Sequence, residues 1–281
     1  GTHRPDYQPG IELHARYTFF AEGARGSLTK EVKRIFDLEA GGRIQVYGLG
    51  IKELWDVDPA KHVPGKVVHT QGWPLDREVG GGFIYHQANN QVAIGLVVGL
   101  GYSNPYISPF HEFQRFKQHP AIRPLLEGGR RVSYGARAIN EGGWQSVPQL
   151  AMPGAALLGD TAGFLNVPRI KGTHTAMKSG MMAAEAAFAA IGEGRTSDTL
   201  TAYADSYRHS WVEKELRGVR NVVPLVKKFG DTWGTLFSGA AMWMELLGLR
   251  WPFTMKHHPD HESLWHASSA APIDYPKPDG V

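Results

Sequence analysis

Apolar positions follow two different spacings along the chain, and the change of spacing divides it into segments. Residues 11–21 are rich in aromatic and aliphatic side chains and run into a glycine turn at residues 22–26, which predicts a strand. Ser27 to Phe36 has apolar positions at helical spacing with basic residues between them. This second segment predicts a helix that Ser27 caps.

Short apolar runs then recur, separated by prolines and glycines. The runs are Ile44–Trp55, Lys66–Trp73, Gly82–His86 and Val92–Leu100. Their length and spacing predict an antiparallel sheet with hairpin connections. The glycines at 80–82 lie between two of the runs, and by themselves they predict a simple hairpin turn.

Helical spacing returns in the second half of the chain. Residues 108–127 predict one helix, Gly172 to Ile191 a long helix rich in small residues, and Thr201 to Arg220 an amphipathic helix. Ala155 to Gly159 predicts a short buried strand, and the polar, proline-containing tail from Pro259 predicts an extended arm. Strands and helices are therefore mixed, and the predicted fold class is α/β with an α+β insertion.

Composition narrows the classes of function. The 281 residues are 42% hydrophobic and 20% charged, with a net charge of +3, which is typical of a globular protein with a substantial core. No basic run suits nucleic acid, so no nucleic-acid partner is expected. Without cysteine, disulfides and thiolate metal sites are excluded in these residues. The histidines show no HExxH spacing, and no metal site is predicted.

The segment from residue 157 to residue 180 carries the most chemical information. A buried strand ends at Gly159 and Asp160, a loop with Gly163 follows, and a helix opens near Gly172 to His174. Glycines allow close approach of a ligand, the carboxylate accepts hydrogen bonds from sugar-like hydroxyls, and a helix N-terminus stabilises negative charge on a flavin. The alternative is a plain crossover in which Thr173 is an ordinary N-cap, and from these residues alone that alternative is favoured at roughly two to one.

Longer motifs resemble one family. The stretch from Gly163 to Gly180 is similar to electron-transfer flavoprotein–ubiquinone oxidoreductases, and Gly159-Asp160 resembles the second FAD motif of their superfamily. Further matching stretches occur in order along the chain: Lys52 to Trp55, Gly72 to Asp76, Gly95 to Leu100, Asn104 to Tyr106, Glu127 to Gly129, Tyr134 to Ala138, Asn140 to Gly143 and Tyr275 to Gly280.

The resemblance implies an FAD/NAD(P)-binding flavoprotein domain of the glutathione-reductase and hydroxylase type, with an inserted antiparallel-sheet domain that binds quinone. The implied divisions are an FAD part at 1–38, the quinone-binding domain at 39–145, a second FAD part at 146–200, a helical membrane-surface segment at 201–258 and an extended arm at 259–281. The arm would lead to an iron–sulfur domain.

The same resemblance assigns individual residues. Gly80 and Gly81 match the backbone stretch that holds a quinone carbonyl. The residues that would contact FAD are Glu22, Gly23, Gly159, Asp160, Gly163, Gly172, Thr173 and His174. No general base or nucleophile is implied, because the flavin supplies the chemistry.

Two features of the family are absent from these residues. The first dinucleotide motif, GxGxxG after a strand, does not occur, and the cysteines of a 4Fe–4S cluster do not occur either. We therefore expect the chain to be the central part of such a protein. The implied activity passes electrons from electron-transfer flavoprotein, through FAD and a cluster outside this chain, to ubiquinone.

Residues 232–253 contain several tryptophans at intervals among apolar residues. Their uncharged run is too short to span a bilayer, and Glu245 and Arg250 also disfavour spanning. The choice lies between a buried core helix and a monotopic anchor with Lys227, Lys228, Arg250 and Lys256 at lipid headgroups. The resemblance favours the anchor, on a bacterial cytoplasmic or mitochondrial inner membrane.

Two other functions are compatible with parts of the pattern. A flavin reductase of the geranylgeranyl-reductase type shares the superfamily, although it does not need the tail from Tyr275 to Gly280. A cofactor-free module that binds a membrane or a partner protein would show no flavin absorbance and no bleaching on reduction.

Overall fold

A computed structural model describes residues 4–41, 43–75, 78–249, 251–277 and 279–281. Asp76 and Arg250, which are named above, and Pro278, within the stretch from Tyr275 to Gly280, lie outside this range. The described residues form a three-stranded sheet and a five-stranded sheet, each with helices against it. Each sheet is part of a separate hydrophobic core, so the mixed α/β class predicted from the sequence is confirmed.

The larger sheet contains five strands: β2 (Tyr47–Asp56), β3 (Val67–Thr70), β4 (Gly80–His86), β5 (Gln91–Gly99) and β6 (Arg130–Asn140). It is antiparallel throughout and has the strand order β3-β4-β5-β2-β6. The first four correspond to the apolar runs of the sequence. Strand β6 was not predicted, because it lies at the sheet edge and most of its side chains are exposed, which removes the alternation of apolar and polar residues.

Helix α2 (Pro109–Lys117) packs on strands β2 and β5. Phe113 and Phe116 are fully buried there, and the ring of Phe116 fills the space in which Gly82 has no side chain. The single helix predicted for residues 108–127 is wrong: α2 ends at Lys117, and a short helix α3 (Arg123–Leu126) follows. Pro120 explains the break, because proline cannot donate a helical hydrogen bond and restricts the residue before it.

A buried ion pair ties α2 to the sheet. Lys117 Nζ lies 3.0 Å from Glu53 Oε2, and both side chains are only 2% exposed. Trp55 Nε1 donates to Glu53 Oε2 at 2.8 Å, and the Arg131 guanidinium lies 3.1 Å from Glu53 Oε1. Burial lowers the pKa of Lys117, while Glu53 opposes that effect. Glu53 therefore has three donors, whereas Lys117 depends on Glu53.

The smaller sheet contains β1 (Thr18–Phe20), β7 (Ala151–Met152) and β8 (Ala155–Leu157), with β1 and β8 parallel. The predicted strand over residues 11–21 is therefore largely wrong. Ile11 and Leu13 are 88% and 90% exposed and have no partner strand, and a strand forms only where β8 supplies backbone partners.

Four helices lie with the smaller sheet or next to it. They are α1 (Ser27–Ile35), α4 (Thr173–Gly192), α5 (Thr201–His209) and α6 (Trp211–Gly218). The long helix predicted from Gly172 is confirmed within one residue at each end. The single helix predicted from Thr201 to Arg220 is wrong, because Ser210 is extended and its hydroxyl accepts from the Glu213 N–H at 3.3 Å, so that it caps α6.

Helix α7 (Val222–Leu246) is kinked at Gly230, which has φ 72° and ψ 178°. The second arm folds back along the first: a Cβ on Gly234 would lie 2.5 Å from Val226 Cα, and the Ser238 hydroxyl donates to Val222 O at 3.4 Å. The sequence does not predict this helical hairpin. Its close packing at Gly234 requires a residue without a side chain.

The arm after α7 runs across the larger sheet domain. Tyr275 donates to Glu112 at 2.7 Å, accepts from the Ser108 N–H at 2.9 Å and stacks on His111. The guanidinium of Arg123 forms an ion pair with Asp279 at 2.5 Å. Apart from two short 3-10 turns, the described residues of this arm form no helix or strand.

Candidate functional site

A tight turn after strand β8 forms the centre of the site. Gly159 and Gly163 have φ values of +56° and +79°, in the left-handed region that glycine adopts without strain. The Gly159 N–H donates to the buried Ser179 hydroxyl on α4 at 2.9 Å, and the Gly163 N–H donates to Asp160 O at 3.0 Å. A Cβ on Gly163 would lie 2.9 Å from Gln45 Nε2. The turn therefore depends on its glycines and on the anchor to α4.

Thr161 brings the beginning of the chain to this turn. Its hydroxyl accepts from the Gly23 N–H at 2.9 Å and donates to the Gly23 carbonyl at 3.2 Å. The carboxylate of Glu22 points instead to the start of α1, where it accepts from the N–H and the hydroxyl of Thr29 at 2.7 Å and 2.6 Å. These bonds lower the pKa of Glu22.

The predicted role of Ser27 as helix cap is thus wrong. Gly26 is the N-cap residue of α1, and it forms no side-chain cap. The Glu22 carboxylate performs that function from a distance of several residues along the chain.

Helix α4 begins beside the turn. Gly172 is its N-cap, and Thr173 and His174 open the helix, so the first N–H groups have no acceptor within the helix. His174 Nε2 lies 2.9 Å from Glu215 Oε1, and its ring stacks on Trp211 with an angle of 10° between planes. Glu215 also accepts from the Asn166 amide at 2.7 Å. The histidine is therefore held in one orientation at the positive end of a 20-residue helix.

Two residues from the larger sheet domain complete the site, and sequence reasoning missed both. Asn140 is buried and its amide nitrogen donates to the Asp160 carbonyl, while its Oδ1 has no partner among the described residues. Gln45 accepts from the Gly142 N–H at 2.7 Å, while its Nε2 likewise has no partner in the described part of the chain. The signals in the sequence were a polar residue next to apolar residues in each case and, for Asn140, its place in the matching stretch from Asn140 to Gly143.

Asp160 is the third residue of this site with a buried side-chain atom, Oδ1, that has no partner among the described residues. Burial raises the pKa of Asp160 to about 6, against smaller opposing effects of Asn140 and Lys33. Buried polar atoms in proteins nearly always have partners, so a group of them around a glycine turn indicates a ligand. Unpaired acceptors on Asp160 and Asn140, with a donor on Gln45, fit the hydroxyl and carbonyl groups of a flavin dinucleotide.

Gly80 and Gly81 lie away from this turn, at the beginning of β4, and the predicted hairpin turn at these glycines is wrong. Side chains are excluded at both positions: a Cβ on Gly81 would lie 2.5 Å from the Thr70 carbonyl oxygen, and a Cβ on Gly80 would collide with the Val97 carbonyl. The paired strand β5 continues to Gly99, whose N–H donates to Val79 O at 2.8 Å. Glycines at these two positions therefore allow neighbouring backbone and the Leu75 side chain to approach the strand more closely than any side chain would permit.

The structure therefore gathers seven of the eight candidate FAD residues around the turn and the start of α4. Glu22 adjoins them through its backbone, but its carboxylate is used at α1. The glycine pair forms a second location on the larger sheet. Among the described residues there is no group of three or more metal-ligating side chains.

Comparison with protein families gives a direct assignment for the larger sheet. A family described as ETF-QO, ubiquinone-binding, matches residues 47–139. These residues run from the start of β2 almost to the end of β6, so the match covers the whole five-stranded sheet.

Relatives that align with all or nearly all of this chain are identical to it at about half of the aligned positions. A mitochondrial electron transfer flavoprotein-ubiquinone oxidoreductase of Rattus norvegicus is 51% identical over 290 residues, covering 100% of this chain and 47% of that protein. The protein of the same name from Pseudomonas aeruginosa is 50% identical, covering 98% of this chain and 50% of that protein. The chain thus spans about half the length of the curated relatives it matches.

Solved structures show the fold at much lower identity. A geranylgeranyl bacteriochlorophyll reductase-like protein from Thermoplasma acidophilum has a TM-score of 0.58 and 18% identity, covering 83% of this chain and 61% of that chain. The halogenase PltM, solved in complex with FAD, has a TM-score of 0.52 and 14% identity, covering 86% of this chain and 53% of that chain. At this identity the likeness concerns the fold alone.

Proposed function

Because this chain belongs to the electron-transfer flavoprotein–ubiquinone oxidoreductase family and spans about half of its members' length, we propose that it is the flavin- and quinone-binding part of such an enzyme. The complete protein would take electrons from electron-transfer flavoprotein and pass them through FAD to ubiquinone. A 4Fe–4S cluster would lie in a region outside these residues.

The observation that carries this proposal is the combination of two sites in one chain. Unpartnered buried atoms of Asp160, Asn140 and Gln45 surround a glycine turn, and a glycine pair lies on a sheet of the ubiquinone-binding family. FAD supplies the electron-transfer chemistry when it is bound. The chain's own residues bind it, orient it and exclude water.

Each part of the site has a distinct task in this proposal. Asp160 and Gly163 would hold the ribityl and pyrophosphate region, with Gly23 beside it. The N-terminus of α4 at Thr173 would face the ring system and stabilise negative charge there. His174, oriented by Glu215, would lie at the same place.

The two separate cores support the division into domains. Residues 1–38 and 146–200 would form the FAD part, and residues 39–145 the quinone-binding domain. Residues 201–258 would lie at the membrane surface, and residues 259–281 would form the arm. The packing of Tyr275 on Glu112 and His111 supports this position of the arm.

The proposal is tested on the purified full-length protein in detergent. We expect flavin absorbance that bleaches with dithionite and returns when a ubiquinone analogue is added. A folded full-length protein that stays colourless after incubation with FAD would overturn the flavin assignment. A bleached flavin that no quinone reoxidises would overturn the quinone assignment alone.

Gly81→Ala tests the quinone site independently of the flavin site. The new Cβ would lie 2.5 Å from the Thr70 carbonyl, so the strand must move at the place where quinone is held. A displacement of about 1 Å lowers rates by about 10²-fold, so we expect quinone reduction to fall by that factor while flavin content stays unchanged. Gly135→Ala is the matched control, because nothing lies within 4 Å of its added Cβ. Equal quinone rates in the two variants would contradict the prediction.

The second arm of α7 and the turn after it form an exposed apolar surface, which we call the α7 apolar surface. Its exposed residues are Trp233, Leu236, Phe237, Trp243, Met244, Leu246, Leu247 and Leu249. No described helix is both long and apolar enough to cross a bilayer. Our proposal is that this surface enters one leaflet of a bacterial cytoplasmic or mitochondrial inner membrane, and the interfacial preference of tryptophan supports it. Lys227, predicted to meet lipid headgroups, instead pairs with Asp260 at 3.0 Å.

Trp243→Glu tests the membrane contact. Trp243 is 68% exposed, and burying such a side chain in a membrane stabilises binding by about 1.5–3 kcal/mol, so we expect vesicle affinity to fall at least about tenfold. Cosedimentation of the full-length protein with phospholipid vesicles measures this. Tyr134→Glu is the control, since Tyr134 is 79% exposed on the edge strand β6. An equal loss in the control would show that the α7 apolar surface has no special role.

A further inference from the structure

Glu141 is a buried carboxylic acid at the end of β6. It is only 4% exposed, and its backbone N–H donates to Val46 O at 2.8 Å. Its side chain occupies space that two glycines leave: a Cβ on Gly48 would collide with Oε1, and a Cβ on Gly99 would lie 3.6 Å from Oε2. Among the described residues, none donates a hydrogen bond to this carboxylate. A buried, unbonded carboxylate is costly, which favours the protonated acid.

Charged and titratable groups face Glu141 from several elements. Lys227 of α7 and Asp260 of the arm form an ion pair, and Asp260 also accepts from the Tyr47 N–H of β2 at 2.8 Å. His257 is buried and bonded to the Gly142 carbonyl, and burial lowers its pKa. Burial raises the pKa of Glu141 to about 7, with Lys227 opposing and Asp260 adding to the effect. The acid therefore exchanges its proton near neutral pH.

A cavity of about 260 Å³ lies beside this acid. Its lining residues are Glu78, Val79, Gly99, Gly101, Ser103, Lys227 and Ser263. Gly99 is both part of the cavity wall and a neighbour of the Glu141 carboxyl. The Gly99 N–H donates to Val79, the residue immediately before the glycine pair. Gly99 thus links the acid to the cavity and, through its bond to Val79, to the beginning of the strand that carries Gly80 and Gly81.

We propose that Glu141 carries protons from the cavity at Lys227 to the quinone held at Gly80 and Gly81. This inference rests on the proposed function. Reduction of a quinone to the hydroquinone takes two electrons, supplied by the reduced flavin, and two protons. For each proton the O–H bond of Glu141 breaks and an O–H bond forms on a quinone oxygen. The carboxylate then takes a replacement proton from water in the cavity.

Kinetics of the full-length flavoprotein with a ubiquinone analogue give the first test. We expect the wild-type rate of quinone reduction to fall as the pH rises through about 7, because the donor loses its proton there. Glu141→Gln should lower the rate by about 10²-fold below that pH and abolish this inflection. Glu141→Asp keeps a carboxyl group and should recover part of the rate. Flavin content and bleaching by dithionite should match the wild type in both variants.

Infrared titration measures the protonation of Glu141 directly, without enzyme turnover. We expect a protonated-carboxyl C=O band that disappears as the pH rises through about 7 in the wild type and is absent in Glu141→Gln. Glu39→Gln is the matched control, since Glu39 pairs with Lys33 at the surface. The proposal is overturned if Glu141→Gln keeps the wild-type rate and pH profile, or if the band is unchanged. A wild-type flavoprotein that never reduces quinone would instead overturn the proposed function, and this inference with it.

Discussion

Asp160→Asn is expected to weaken FAD binding while stabilising the protein that lacks FAD. Among the described residues, one buried oxygen of this carboxylate has no hydrogen-bond partner, and in the proposed complex it would accept hydrogen bonds from flavin hydroxyls. Hydrogen bonds to a charged acceptor contribute about 1.5–3 kcal/mol, so the FAD dissociation constant should rise by roughly 10- to 150-fold. Flavin retention and FAD titration of the full-length protein, stripped of its cofactor, measure this change.

The stabilising half of this prediction depends on pH. Burial raises the pKa of Asp160 from 3.8 to about 6, so the folded state binds this proton more tightly than the unfolded state. A raised carboxyl pKa means that the group destabilises the fold fully above the folded pKa, and that this destabilisation is lost as the pH falls from the folded pKa to the unfolded pKa. As the pH rises from 4 to about 6, the thermal midpoint of the FAD-free wild type should therefore fall relative to that of Asp160→Asn. Above that pH, the difference between the two midpoints should stay constant.

Asp205→Asn is the control for both measurements. Asp205 is exposed on α5 and pairs with Arg208 at 2.7 Å, and its side chain is outside the glycine turn. It should leave FAD affinity unchanged and alter stability by less than about 1 kcal/mol. If Asp160→Asn retains flavin as tightly as this control, Asp160 does not contact the cofactor.

Glu53→Gln is expected to open the larger sheet, and Lys117→Met to have a smaller effect. Removing one partner of a buried ion pair costs about 3–5 kcal/mol, because the other charge stays buried. Glu53→Gln leaves Lys117 without its carboxylate, whereas Lys117→Met leaves Glu53 bonded to Trp55 and Arg131. Hydrogen exchange of β2 and β5 amides in the full-length protein reports the local free energy of opening.

The double variant Glu53→Gln with Lys117→Met should recover much of the loss, since no isolated buried charge remains. The Glu53→Gln defect should also shrink as the pH rises, because Lys117, whose pKa burial already lowers, can then become neutral. Arg208→Met removes an exposed ion pair and should change protection by less than about 1 kcal/mol. A Lys117→Met effect larger than that of Glu53→Gln would show that the other donors do not compensate.

The sequence was sufficient to predict an element where the residues that determine its structure lie within that same segment of the chain. The long helix from Thr173 to Gly192 follows from its small residues and apolar spacing, and strands β2, β3, β4 and β5 of the larger sheet follow from their apolar runs. The motifs around Gly159, Gly163 and Gly172 also indicated the site, because glycines at these positions permit backbone conformations and close approaches that other residues do not.

Tertiary structure decided the features that depend on distant partners. Strand β6 exists because β2 pairs with it, although its own exposed sequence carries no strand pattern. Residues 11–15 carry an apolar pattern but form no strand, because β8 is too short to pair with them. The folding of α7 back on itself depends on the kink at Gly230 and on the close contact of Gly234 with the backbone of Val226.

The sequence by itself determined the family, the composition of the glycine turn and the mixed fold class of this protein. Only the tertiary structure placed Gln45 beside Gly163 and Asn140 against Asp160, bound the Glu22 carboxylate to α1 and enclosed Glu141 between Gly48 and Gly99. Backbone preferences act between residues that are close along the chain. Burial and hydrogen bonding of a side chain depend on whatever the fold brings to it, and that cannot be deduced from the residue's neighbours in sequence.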